Sequence, residues 1–282
     1  MSPGRYLATV TIGLLSCGPA EPSMTTASPR SGATAEASAH IESSDTIADA
    51  AISPSATPAS AAPASTTTAT AHAPRPAKVR YAVAAMGDSL TDPKSHGGKY
   101  LDVLREHCPK STFDSFGKGG NMVNMMRKRF RRDVYGEADD GPRAERSKYT
   151  HVLILGGLGD VLSNETAGRN AEKIAKDIGQ MVDWSRERGA KAIVLTLPPW
   201  GAMEAYNAER EKITADVNVW IGKAAKEGRI DGSFDTRPHL ICNGDEVRLC
   251  KKYSLPDGIH WSAEGHRSVG EALYQAMFAD CE

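Results

Sequence analysis

From residue 78 to the C-terminus, short apolar runs alternate with amphipathic stretches. Parallel strands need long crossovers, and helices fill them, so this alternation predicts a parallel sheet covered by helices. Strands are expected at 79–86, 112–116, 151–155 and 192–197, with a short fifth at 230–234. Helices are expected at 99–107, 121–134, 171–188, 204–226 and 262–279. In the third of these, Ile174, Ala175, Ile178, Met181 and Val182 recur at helical spacing. Ser262 is placed as an N-cap, Gly265 is a blemish inside that helix, and Pro198-Pro199 stops the fourth strand.

The first 77 residues read differently. Arg5 precedes a short apolar run at 6–15 and then Ser16-Cys17, the layout of an export signal over residues 1–17. The run is too short to span a bilayer. Leu14-Leu15-Ser16-Cys17 resembles the lipobox of bacterial lipoproteins, in which the cysteine is lipidated; the alternative is an ordinary cleaved signal. Residues 18–77 are Ala, Ser, Thr and Pro with almost no large apolar side chains. Such a segment cannot offset its ordering entropy, so a disordered linker is expected there, and a folded domain at 78–282. The chain is therefore expected to be exported, either secreted or held in the cell envelope, with a membrane contact only through a lipid on Cys17. A net charge of -1 gives no reason to expect nucleic acid.

Four cysteines follow Cys17. Export favours pairing. Cys242 and Cys250 flank a short loop and are the easiest pair; Cys108 and Cys281 end the first and last helices, which can meet at one sheet edge. The other two connectivities stay open. His239 beside Cys242 and Cys250 suggests zinc, but a fourth ligand is missing, so no metal is expected.

The first strand stops on Gly87-Asp88-Ser89-Leu90. That places a hydroxyl at the carboxyl end of the sheet, where open α/β folds bind ligands. Serine needs a base within hydrogen-bond reach, and the base needs a carboxylate on its other nitrogen. Asp257-Gly258-Ile259-His260 supplies both across a turn. The other histidines read as surface or core imidazoles. Ser115-Phe116-Gly117-Lys118-Gly119-Gly120-Asn121 follows the second strand, and its glycines let backbone N–H groups approach a developing oxyanion. Gly157-Leu158-Gly159-Asp160 hints at a dinucleotide fingerprint, but Leu162 stands where the third glycine belongs, so no cofactor is expected.

Together these blocks resemble the GDSL, or SGNH, hydrolase superfamily over nearly all of 78–282. The resemblance implies a three-layer α/β/α domain with a flavodoxin-like, parallel five-stranded sheet. It implies Ser89 as nucleophile, Asp257 and His260 as its partners, and the N–H groups of Ser89 and Gly120 as oxyanion donors. One block departs. Where the family carries Gly-x-Asn-Asp, with the Asn amide as a third donor, this chain has Gly157-Leu158-Gly159-Asp160. Either Asn121 or Asn164 fills the gap, or the site is weaker.

The implied activity is hydrolysis of acetyl or short acyl esters on an extracellular or cell-wall glycan, or of a small ester. The alternative is a weak or inactive glycan-binding relative. The absence of an apolar lid-like insertion argues against long-chain lipids. Asn121 and Trp200 are candidate substrate contacts, Trp200 by stacking on a sugar. The basic run Arg127-Lys128-Arg129-Phe130-Arg131-Arg132 reads as a solvated face or as a seat for an acidic polymer.

Overall fold

Five strands form one parallel sheet in a computed structural model that describes residues 78–137 and 148–282. The signal, Cys17 and linker expected within 1–77 lie outside the described residues. The strands are β1 (Ala82–Gly87), β2 (Thr112–Gly117), β3 (His151–Leu155), β4 (Lys191–Leu195) and β5 (Gly232–Phe234). Their order is β2-β1-β3-β4-β5, the flavodoxin-like arrangement. Val83 to Met86 and Val152 to Leu155 are unbroken buried runs, as strands covered on both faces require.

The helices are α1 (Lys99–His107), α2 (Val123–Tyr135), α3 (Leu158–Leu162), α4 (Asn164–Ala167), α5 (Ala171–Glu187), α6 (Ala208–Lys226) and α7 (Ala263–Leu273). Helix α1 packs on α7, while α5 packs between α2 and α6. These two groups cover opposite faces, as right-handed crossovers running both ways from β1 demand. Strand order reverses between β1 and β3, and the crevice outside their carboxyl ends is the expected ligand site. Register makes that crevice compact. Gly87 pairs with both Gly117 and Leu155, so the loops after β1, β2 and β3 leave the sheet at one level.

Some boundaries differ from the sequence expectation. Helix α2 starts at Val123, after an Asn121-Met122 approach, and α6 starts at Ala208 with Asn207 as its cap. Helices α3 and α4 are too short to show an apolar period. Ser262 does cap α7, accepting from the Gly265 N–H at 3.2 Å. Gly265 is no blemish: a Cβ there would run into the carbonyl of Tyr253. Beyond Leu273 the helix widens into a π turn at Tyr274–Phe278.

Both cysteine pairs are disulfides. Cys108 and Cys281 join the ends of α1 and the chain terminus, with Cα atoms 5.5 Å apart. Cys242 and Cys250 close their loop at 5.2 Å. The zinc reading at His239 falls, because both thiols are consumed and the His239 ring stacks on Phe234.

His266 of α7 is buried against Tyr100 and Trp261, and its Nδ1 has no hydrogen-bond partner among the described residues. Burial pushes its pKa down to about 3, with the charges of Lys99 and His260 adding to the effect. In the unfolded chain the ring takes a proton as pH falls through 6.5, and in the fold it does not until about 3. Stability from neutral His266 is thus complete above 6.5 and is lost as pH drops across that window. The slope is about 1.4 kcal/mol for each pH unit. Buried Asp88, raised to about 6, acts in the opposite sense, so the difference between variants is the readout. Denaturant unfolding of wild type and His266→Phe from pH 7 to 4 is expected to diverge by that slope. Parallel curves would refute it.

Candidate active site

The Ser89 loop is tied by its neighbour. Asp88 accepts the Leu90 N–H on its side chain at 3.0 Å and the Thr91 and Asp92 N–H groups on its carbonyl at 3.1 and 3.0 Å. That tight turn leaves the Ser89 N–H with no acceptor among the described residues. Burial raises the Asp88 pKa to about 6, against the Leu90 hydrogen bond, which lowers it.

Asp92 then joins this loop to the one after β2. Its carboxylate accepts from the Lys94 N–H at 2.9 Å, the Ser95 hydroxyl at 3.0 Å and the Gly119 N–H at 2.8 Å. Burial alone would raise its pKa, but those three bonds outweigh it and hold the carboxyl low. Nothing in the sequence singled out Asp92, since one Asp in a turn carries no long-range signal. Next to the clamped Gly119, Gly120 has φ +75 with nothing within 4 Å of a would-be Cβ. Conformation rather than space calls for glycine there. Its N–H likewise donates to no group among the described residues.

From the other end of the chain comes the turn before α7. The Gly258 N–H donates to the Leu255 carbonyl at 3.1 Å, and the Leu255 N–H to the His260 carbonyl at 2.8 Å. Gly258 sits at φ +74, with the Ala202 backbone 2.7 Å from where a Cβ would stand. Asp257 folds back inside this turn. Its Oδ1 accepts the backbone N–H groups of Ile259 and His260 at 3.1 and 3.0 Å, and its Oδ2 lies 2.6 Å from His260 Nδ1. Burial opposes ionisation of Asp257, but these bonds prevail and hold its pKa below the ordinary value. A carboxylate only accepts, so Nδ1 carries the proton and Nε2 is left as an acceptor. Nε2 lies 2.8 Å from Ser89 Oγ.

Ser89, Asp257, His260, Gly120 and Asn121 therefore meet in one cavity of about 510 Å³. Its lining includes the apolar Leu158, Leu162, Met203 and Ile259 and the polar Ser95 and His96. His96 is held at φ +62, an uncommon conformation for a residue with a Cβ. A second cleft of about 840 Å³ adjoins it, with Ser95 and Gly119 lining both and Phe116, Lys94 and Lys118 lining the second alone.

Three expectations are corrected. Trp200 is fully buried; its Nε1–H donates to Thr214 at 3.1 Å and its ring packs edge-on against Tyr206, so it is core and cannot stack on a sugar. Asn164 is not among the residues lining this cavity: its amide donates to Glu209 at 3.0 Å and its oxygen accepts from Arg210 at 3.0 Å, so it is committed outside the oxyanion site. The arginines of the basic run are engaged within the fold, which argues against an open seat for an acidic polymer; of the run's cations only Lys128 is both exposed and outside the ion pairs among the described residues. Arg127 pairs with Asp177 at 2.7 Å, Arg131 with Glu137 at 2.6 Å and Arg132 with Asp133 at 2.8 Å, while Arg129 is buried. Among the described residues no group of three or more His, Cys, Asp or Glu is placed to hold a metal ion.

Asp160, beside Gly159, serves the frame. It is fully buried, accepts the Val123 N–H that opens α2 at 2.7 Å, and pairs with Arg169 at 2.6 Å. A remote carboxylate thus caps α2, where no local side chain does so.

Solved structures share this architecture. A GDSL-like lipase from Bacteroides thetaiotaomicron is 21% identical, with 70% of this chain and 87% of that one covered at a TM-score of 0.54. An acetyl xylan esterase is 20% identical, covering 70% of this chain and 100% of that one at 0.56. Axe2, an acetylxylan esterase from Geobacillus stearothermophilus, is 17% identical over 73% of this chain and 99% of that one at 0.56. No curated protein matches the chain. The sequence pattern described as the GDSL-like Lipase/Acylhydrolase family matches residues 85–268, from the end of β1 into α7, and so takes in both the Ser89 loop and the Asp257–His260 turn. By that match this chain belongs to the GDSL-like lipase/acylhydrolase family.

Proposed function

We propose that this chain is a serine esterase that removes acetyl or short acyl groups from an extracellular or cell-wall glycan. The observation that carries the reading is the Ser89–His260–Asp257 chain of hydrogen bonds, opening onto a cavity beside two unspent backbone N–H groups. Ser89 Oγ attacks the ester carbonyl carbon as His260 Nε2 takes its proton. The oxyanion forms against the Ser89 and Gly120 N–H groups. His260 returns the proton to the leaving alcohol, and the acyl group stays on Ser89. Water then repeats the sequence, with His260 as base, and frees the carboxylic acid.

Two further observations support the substrate class. The apolar lining residues Leu158, Leu162 and Met203 suit a small acyl group. The adjoining cleft, with Phe116, Lys94 and Lys118, extends the site in the way a polymeric alcohol would need. Two of the structural neighbours are acetylxylan esterases, and Axe2 was solved as catalytic mutants with an aspartate or a serine changed to alanine. Export and a lipid on Cys17 belong to the same proposal, resting on residues 1–17. Gly159 favours one second reading, a weak or inactive glycan-binding relative.

A fluorophosphonate and a graded ester series test the proposal. Ser89 is expected to be labelled, and chromogenic acetate and butyrate esters to be cleaved with higher kcat/KM than decanoate. Acetylated glycans should release acetate. Failure to label Ser89 would favour the inactive relative, and a preference for decanoate would overturn the short-acyl assignment.

A further inference from the structure

Arg129 lies buried beneath the active-site loops. Its Nε donates to Asn121 Oδ1 at 2.7 Å, and its terminal nitrogens donate to the carbonyls of Phe116 at 2.8 Å and Gly87 at 2.9 Å. The remaining partner is Asp133, at 2.9 Å. One guanidinium thus ties the carboxyl ends of β1 and β2 to the Asn121 side chain. A guanidinium only donates, so the amide atom facing it must be the oxygen. That fixes which way the amide points. Nδ2 is turned away from Arg129 and donates to no group among the described residues. Asn121 lines the same cavity as Ser89, Gly120, Gly159 and His260.

Gly159 fits this arrangement. It lies in α3 with no positive φ, so its backbone does not call for glycine. Space is tight instead: a Cβ at 159 would stand 3.1 Å from the Asn121 carbonyl oxygen, so that backbone would have to give by a few tenths of an ångström. The absent side chain leaves room for the segment that carries Asn121.

We infer that Asn121 donates its Nδ2–H to the reaction's oxyanion, with Arg129 as its positioning residue, in place of the asparagine that the family carries where this chain has Gly159. The inference rests on the serine-esterase reading. The hole then has three donors, the Ser89 and Gly120 backbone N–H groups and the Asn121 amide, on two adjacent loops.

Asn121→Asp is the sharpest variant. It keeps the oxygen that Arg129 holds, and so the fold, but replaces the donor with an acceptor. Both Asn121→Asp and Asn121→Ala are expected to lower kcat by about 10²–10³-fold with KM little changed. Thermal melting should show Asn121→Asp folded even if Asn121→Ala is weakened by its unpaired arginine. Arg129→Lys is expected to lower kcat in the wild-type background and to add nothing in Asn121→Ala. Additive losses would make Arg129 merely structural and remove the positioning role. Gly159→Asn should not raise kcat; a tenfold rise would reveal an empty donor position and overturn the inference. If Ser89 is labelled by fluorophosphonate, Ser89→Ala is inactive and Asn121→Asp keeps wild-type kcat, the inference fails while the esterase reading stands. If wild-type Ser89 is not labelled, both fall.

Discussion

Changing Ser89 to alanine is expected to lower kcat by about 10⁶-fold, the scale seen when a serine hydrolase loses its nucleophile. The change removes one oxygen. Its partner in the fold is His260 Nε2 at 2.8 Å, and no backbone group among the described residues bonds to it. The turn that presents residue 89 is held instead by Asp88, through its carboxylate and its carbonyl. Thermal melting should therefore move by no more than a few degrees, the range for a substitution outside the core. His260 keeps its contact to Asp257, so substrate affinity should hold as well. Measuring kcat on a chromogenic acetate together with the melting temperature checks both halves. An alanine variant that retains most of its turnover would show that the chemistry runs through another group. A variant that loses turnover only because it unfolds would leave Ser89 a structural residue.

How far the site was legible depended on whether its parts are local. The Asp257-to-His260 turn is a three-residue event, so its composition announces its geometry. Helix α1 and strand β3 end where their apolar patterns end, and both lie at the predicted residues. Cys108 and Cys281 pair because α1 and α7 share a face, which follows from strand order. Other roles depend on where a side chain points across the fold. Trp200 follows a strand at the ligand-binding edge, but its ring turns inward to Thr214. Arg129 sits in a run of cations, yet alone among the run's arginines it occupies the inner face of α2 beside Met126 and Phe130. Charge density suggested a surface, whereas helical phase decided burial. Asp92 and Asp160 each bond backbone far away in sequence, at Gly119 and Val123, and no spacing rule foretells such contacts. Recognising them requires the register that brings Gly87, Gly117 and Leu155 level.

Asp257→Asn tests the least visible part of the proposed machinery, the tautomer of His260. In the wild type, Oδ1 accepts two backbone N–H groups, of Ile259 and His260, and Oδ2 faces Nδ1. Asparagine has one oxygen for these two positions. The backbone donors cannot rotate away without opening the turn at Gly258, so they claim the oxygen, and the NH₂ group faces the imidazole. An NH₂ group only donates. Nδ1 must then be the acceptor, which moves the ring proton to Nε2, the nitrogen facing Ser89. The imidazole stays where it was but can no longer take the serine proton. A drop in kcat of about 10⁴-fold is expected, the loss seen when the third member of such a triad is made neutral. His260→Ala should be as damaging, but it removes the ring and cannot separate base from tautomer. The discriminating readout is nitrogen NMR of the His260 ring, which distinguishes Nδ1–H from Nε2–H in the resting enzyme. Wild type should show the proton on Nδ1 and Asp257→Asn should show it on Nε2, with the fold and KM retained. A variant that loses activity with the proton still on Nδ1 would mean that Asp257 acts through its charge alone. Full activity in the variant would remove Asp257 from the mechanism.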